Sequence, residues 1–428
     1  MAPLVRRAGT TLLVTGAALL LATGPALAAV TASTDGVDTV EVSSNAAGDA
    51  ITVTCVADEP DVNGSAPTPA LPCADVAFVD VDAGGGADTV LLGGLNQLSF
   101  PGLLETSVDV EDAFADSVSG SEARDVVHAD GADDVTTYGG DDWVEGAGFA
   151  SGGEGNDTFR DVASVLGGTG DDLIVTPGPG PLDGGGGFDT IVSDYSVFTS
   201  QQSVGLTLTD TLINGAVSTA GIEAYDITAS DGERSDSIDS QGYSGRVTFH
   251  ARAGADTFAG GPGADLADLG SGDDVAAPGP GSDFVLAGDG NDTVSARDGF
   301  GDVVECGPGT DTVTADRVDI LSGCENISLP PPETGPVTGP KKVTKGERAF
   351  FAFGSPVAGA AFECQLDTGP FQPCTSELKV KTRRLRTGKH TVQVRAVQPA
   401  GNIDPTPSSL TFKVTKVKRP PAQVPAQQ

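Results

Sequence analysis

Ala251–Ser295 reads ARAGADTFA, GGPGADLAD, LGSGDDVAA, PGPGSDFVL and AGDGNDTVS, five nine-residue blocks that follow one another without a gap. Each block has Gly fourth and Asp sixth. A six-residue turn that folds back sharply needs residues free to take positive φ, which is why Gly recurs, and the three residues after it suit a short strand. The period is therefore turn, strand, turn, strand, and two blocks make one coil of 18 residues. Asp256, Asp274 and Asp292 are expected to line one edge of the stack, and Asp265 and Asp283 the other. Neighbouring carboxylates on an edge then stand about 4.8 Å apart.

Unit charges at that separation repel by roughly 3 kcal/mol at an effective dielectric near 20. A hard divalent cation between them removes the conflict. Carboxylate and carbonyl oxygens without His or thiolate suit Ca²⁺ and suit Zn²⁺ or Cu²⁺ poorly. The blocks resemble the RTX, or haemolysin-type, calcium-binding repeat G-G-x-G-x-D-x-U-x, a parallel β-roll signature that is specific here because it is tandem. The resemblance implies that the sixth-position Asp and the turn carbonyls hold Ca²⁺ between coils while U points inward. Carried onto this chain, the carbonyl donors fall at Gly261, Gly263, Gly270, Gly272, Gly279, Gly281, Gly288 and Gly290.

Further blocks extend the pattern in both directions. AGGGADTVL places Asp88 sixth, and ADGADDVTT places Asp134 sixth. GGEGNDTFR, GGTGDDLIV and GGGGFDTIV supply Asp157, Asp172 and Asp189, spaced 15 and 17 residues apart. Those steps approximate one coil and predict a single row, with Val127, Phe159, Ile174 and Ile191 inward. Asp311 follows the regular repeats. From Ser193 to His250 the glycine–aspartate period lapses, and Asp231, Asp236 and Asp239 read as a solvated acidic face on metal-poor coils.

The composition fits a thin solenoid: 59 Gly in 428 residues, 5% aromatic residues and a net charge of −36. Val30 to Pro340 carries 7 Lys+Arg against 55 Asp+Glu, whereas Lys341 to the end carries 15 against 5. Such acidity points to cations as partners and away from nucleic acid. Arg6 and Arg7, an apolar run from Thr11 to Leu21 and Ala26-Leu27-Ala28 read as a secretory signal over residues 1–28. No later stretch is long and apolar enough to span a membrane, so a secreted, extracellular protein is expected.

Six cysteines in an exported chain suggest three disulfides, with 15 possible pairings. Cys55 to Cys73 and Cys306 to Cys324 are each separated by 18 residues, one full coil, which would stack each pair on adjacent turns. Cys364 and Cys374 remain.

The organisation expected is a calcium-binding parallel β-roll or β-helix over 29–328, a Pro-rich linker over 329–340, a small antiparallel β-sandwich over 341–415 and a disordered tail over 416–428. FECQLD, FQPCT, GKHTVQVRAV and AGNIDPTP in the sandwich resemble the bacterial immunoglobulin-like modules appended to exported surface proteins. Lys379, Lys381, Arg383, Arg384, Arg386 and Lys389 form a basic run there, either a solvated face or a docking strip for an anionic cell-wall or matrix polymer. No HExxH helix, GxSxG elbow or P-loop occurs, and His128, His250 and His390 are isolated. A structural or adhesive role is therefore expected rather than catalysis. The alternative is a β-helix lyase or epimerase acting on an acidic polysaccharide.

Overall fold

A computed structural model describes residues 30–45, 47–175, 180–195, 205–209, 212–213, 217–229, 234–398 and 402–417. The expected signal segment, Asp231 and nearly all of the expected tail lie outside these residues. The described chain is almost wholly β, its only helical pieces being the 3₁₀ turns Cys73–Asp75 and Thr382–Arg384. It forms two compact units. The first runs to Val294 and takes in Phe300–Asp311 and Ile320–Cys324; the second comprises Ser295–Gly299, Thr312–Asp319 and the chain from Glu325.

The first unit is a parallel β-solenoid. One of its sheets has 15 strands, from Thr31–Thr34 to Ile320–Ser322. Only its first pair, Thr31–Thr34 on Thr39–Ser43, is antiparallel. Every later neighbour is parallel and one coil further along, as in Thr158–Arg160 on Leu173–Val175 on Thr190–Asp194. The second sheet alternates with it in sequence, through Thr89–Leu91, Ser117–Ser119, Asp134–Thr136 and Phe149–Glu154.

Because side chains alternate across a strand, each three-residue strand sends its central residue inward. One inward column runs Val127, Val144, Phe159, Ile174 and Ile191, each fully buried. The facing column runs Val118, Val135, Ala150, Val165 and Leu182. Two sheets so close leave room for little more than one side chain from each. Phe249 and Phe258 stack with ring centroids 6.0 Å apart, and the next coil compensates with Ala267 and Ala276.

The turns are as crowded as the interior. Gly272 has φ +145°, and a Cβ there would stand 1.3 Å from the carbonyl oxygen of Gly254 in the preceding coil. Only Gly fits that position, for both conformation and space.

The second unit is a small, mainly antiparallel sandwich. A five-stranded sheet is ordered Lys342–Thr344, Ser408–Thr415, Gly388–Val397, Ala361–Leu366, Gln372–Cys374. Arg348–Ala352 pairs with Glu377–Lys381 as a separate two-stranded sheet. Between them lie Phe351, Val392, Val394, Phe412 and Val414. Part of the segment read as a linker is bound to this sandwich: the Thr334 N–H and hydroxyl both donate to Asp404 Oδ2, and Val337 joins the core.

All three disulfides form. Cys306–Cys324 has a Cα separation of 5.2 Å and joins adjacent coils, as its spacing predicts. Cys55–Cys73 also forms, but it does not link stacked strands. Cys55 lies in the antiparallel hairpin Ala50–Val56/Glu59–Val62, and the bond fastens that hairpin to the 3₁₀ turn. Cys364–Cys374 crosses two neighbouring antiparallel strands of the sandwich.

Replacing Gly272 by Ala is predicted to lower the denaturant midpoint of the solenoid by an amount equivalent to at least about 1 kcal/mol. Gly186→Ala, where nothing lies within 4 Å of the added Cβ, serves as the control and is expected to leave the midpoint in place.

Candidate metal centre

Each repeat places an Asp immediately before a strand, two residues ahead of a buried apolar side chain. Asp157 precedes Phe159, Asp172 precedes Ile174 and Asp256 precedes Phe258, and all six are buried. Since residues two apart share a face, the carboxylate is drawn inward with the apolar residue it precedes.

What it meets there is the backbone of the neighbouring coil. Asp157 Oδ1 accepts the Asp142 N–H at 2.9 Å, Asp172 Oδ1 accepts the Asp157 N–H at 2.8 Å, and Asp189 Oδ1 accepts the Asp172 N–H at 2.8 Å. The ladder begins at Asp125, whose N–H donates to Asp142 Oδ1 at 2.7 Å, and ends at Glu223, whose Oε2 accepts the Asp189 N–H at 2.9 Å. Along the same sheet it resumes with Asp265, Asp283 and Asp302, where Asp265 N–H donates to Asp283 Oδ1 at 2.8 Å and Asp283 N–H to Asp302 Oδ1 at 3.0 Å.

A second ladder runs at the start of the other sheet. Asp49, Asp88, Asp116 and Asp133 are joined in the same sense at 2.5, 2.6 and 2.9 Å. Further along, Asp236, Asp256, Asp274, Asp292 and Asp311 are joined at 2.6, 2.7, 2.8 and 2.9 Å.

One oxygen of each carboxylate is thus committed to the backbone. The other is not. The Oδ2 atoms of Asp88, Asp116, Asp157, Asp172, Asp189, Asp256, Asp274 and Asp292 are buried and have no hydrogen-bond partner. Leaving a buried polar atom unpaired is destabilising, the more so when it carries charge. Two members escape this state. Ser121 N–H donates to Asp125 Oδ2 at 2.8 Å, and Gly261 N–H donates to Asp265 Oδ2 at 3.2 Å.

The orphan oxygens face gaps that side chains would close. A Cβ on Gly152 would stand 1.9 Å from Asp157 Oδ2 and 2.6 Å from Gly167 O. On Gly167 it would stand 2.1 Å from Asp172 Oδ2 and 2.4 Å from Gly184 O. Carboxylate and carbonyl oxygens from successive coils therefore converge, and glycine keeps the space between them open. Asp283 and Asp302 likewise bring carboxylate oxygens within 4.8 Å of one another. Hard oxygen donors with buried, uncompensated negative charge are suited to hold a metal ion, so the residues present fit one. Cys55, Cys73 and Asp58 also cluster, but the disulfide consumes both thiols.

Of the residues singled out from sequence, Asp88, Asp157, Asp172, Asp189, Asp256, Asp265, Asp274, Asp283, Asp292 and Asp311 all take ladder positions. Asp134 does not. It is exposed on the strand surface, and Asp133 occupies the buried place, because Asp133 is the acid two residues before the inward Val135. The turn glycines stack coil on coil: a Cβ on Gly290 would stand 1.6 Å from Gly272 O, on Gly281 2.1 Å from Gly263 O, and on Gly279 2.5 Å from Gly261 O. Gly270 O, a predicted donor to metal, already accepts the Asp289 N–H at 2.8 Å.

Asp49, Asp116, Asp125, Asp142, Asp302 and Glu223 also hold ladder positions not assigned from sequence. Asp236, expected on a solvated face, is 1% exposed. The rule of an acid two residues before an inward apolar side chain finds every one of them, through Ile51, Val118, Val127, Val144, Val304, Tyr225 and Ile238.

Compared with known protein families, curated proteins and solved structures, the chain matches none. The fold and the ladders define the class by themselves: a parallel β-solenoid with metal-competent acidic edges. Among the described residues no helix is long and apolar enough to cross a membrane.

Burial is the largest influence on the ladder carboxylates and raises their pKa values. Asp142 is pushed up to about 8, Asp172 and Asp256 to about 7, and Asp116, Asp157, Asp265 and Asp274 to about 6. In the unfolded chain these groups titrate near 3.8. Between those limits the metal-free native state holds more protons than the unfolded state, so its stability falls as pH rises. In excess chelator the melting temperature is predicted to decline steadily from pH 4.5 to pH 8 and to recover on acidification. A melting temperature that rises over the same interval contradicts this.

Proposed function

We propose that this chain is a secreted, calcium-binding structural protein whose solenoid is completed by Ca²⁺ along its aspartate ladders. The observation that carries the reading is the row of buried carboxylate oxygens, each left without a hydrogen-bond partner beside a backbone carbonyl of the next coil. Asp157, Asp172 and Asp189 would hold ions on one edge, and Asp256, Asp274 and Asp292 on the other. Bound Ca²⁺ supplies positive charge that the protein lacks at these positions.

Calcium is favoured over other metals by the donor set. Carboxylate and carbonyl oxygens match a hard cation that takes 6–8 oxygen ligands, and no imidazole is part of either ladder. The resemblance of the repeats to RTX sequences points the same way. Three disulfides indicate folding in an oxidising compartment, consistent with the signal-like N-terminal segment and with the millimolar calcium found outside cells. Any agent that binds the native state and not the unfolded chain stabilises the former, so filling these sites favours the coiled form.

The experiment is a calcium-binding isotherm on variants that keep side-chain size. Asp172→Asn and Asp274→Asn are each expected to reduce the number of bound ions or weaken binding at least about tenfold. Asp134→Asn, on the exposed strand surface, is expected to bind like the parent. Equal binding by all three proteins would refute the assignment.

A further inference from the structure

Asp49 differs from every other ladder member. Its N–H donates to Asp88 Oδ1, but it stands first in its row, so no earlier coil offers an N–H to its own carboxylate. Both Oδ1 and Oδ2 are buried without a partner, and the residue is 4% exposed. It borders a cavity of about 430 Å³ whose walls include Val30, Ala32, Ala50 and Val62.

That cavity is poorly built for a multivalent cation. Asp49 is its sole acid, and most of its wall is apolar. The carbonyl oxygen of the Asn63 side chain, also on the wall, is already committed to the Thr52 N–H at 2.8 Å. A calcium ion needs 6–8 oxygen donors. A single ammonium group carries one charge and three N–H donors, and so matches one carboxylate with two free oxygens.

The chain itself supplies such a group. Ala26-Leu27-Ala28 is a small-x-small cleavage signal, and hydrolysis after Ala28 adds one water across the Ala28–Ala29 peptide bond. Ala28 leaves as a carboxylate and Ala29 retains an amine, which takes up a proton. Consecutive Cα atoms are 3.8 Å apart, so this ammonium originates one residue from Val30 on the cavity wall.

We propose that the α-ammonium of Ala29, created when residues 1–28 are removed, seats in this cavity and pairs with Asp49. Removal of the export signal then completes the first coil, and the unprocessed chain keeps a buried carboxylate without a counter-charge. This goes beyond the calcium reading and does not require it.

The test uses the exported chain carrying Ala29→Gln. After cleavage its terminal glutamine retains the charge until glutaminyl cyclase converts it to neutral pyroglutamate. Cyclisation is expected to lower Tm by about 2–4 °C. In Asp49→Asn the same conversion is expected to have no effect. Equal Tm before and after cyclisation overturns the proposal, and this comparison stands even if Asp49→Asn fails to fold. An equal fall in both backgrounds also overturns it, as does loss of one bound Ca²⁺ in Asp49→Asn, which would give the cavity to a metal. N-terminal sequencing that starts anywhere but position 29 overturns its premise.

Discussion

The solenoid depends on a carboxylate that is buried to satisfy a neighbour. In each ladder an Asp oxygen accepts the backbone N–H of the Asp one coil away, at distances from 2.5 to 3.0 Å. Hydrogen bonds to an ionised acceptor are stronger than neutral ones, so each rung fixes the register of the next coil. The same geometry strands the second oxygen in a desolvated place beside another acid. Order along the stack and a demand for positive charge are therefore two consequences of one side chain.

The rest of the solenoid is arranged so that the carboxylate can reach its partner. Three-residue strands place one apolar side chain inward per pass, which keeps the sheets close and the turns aligned. Glycine at the turns lets each coil sit on the carbonyls of the last, as at Gly272 over Gly254. A larger core would separate the edges, and a Cβ in the turn would lift one coil off another. The low aromatic content and the 59 glycines are what this packing requires.

Much of this is legible in the sequence because the period is strict where the packing is strict. The 18-residue spacing of Asp256, Asp274 and Asp292 predicts their common row, and the same spacing predicts Cys306–Cys324. The spacing fails at Cys55 and Cys73, because a hairpin interrupts the coil and the same number of residues no longer means one turn. Counting nine residues also misplaces the acid at Asp134, since what fixes the ladder is parity with the inward Val135 rather than position in a block. Asp236 sits among residues without the glycine signature, yet its carboxylate position is set by Ile238 alone. The role of Glu223 in closing a row of aspartates depends on a longer side chain reaching the same N–H, which no repeat motif announces.

The central claim is that the ladders are incomplete without a divalent cation. Thermal unfolding of the purified mature chain at neutral pH, followed by circular dichroism in excess chelator and then during calcium addition with magnesium as control, tests it most directly. The account predicts a weakened or lost β-rich fold in chelator, restored cooperatively by calcium and poorly by magnesium. An unchanged spectrum and melting temperature in chelator would contradict it.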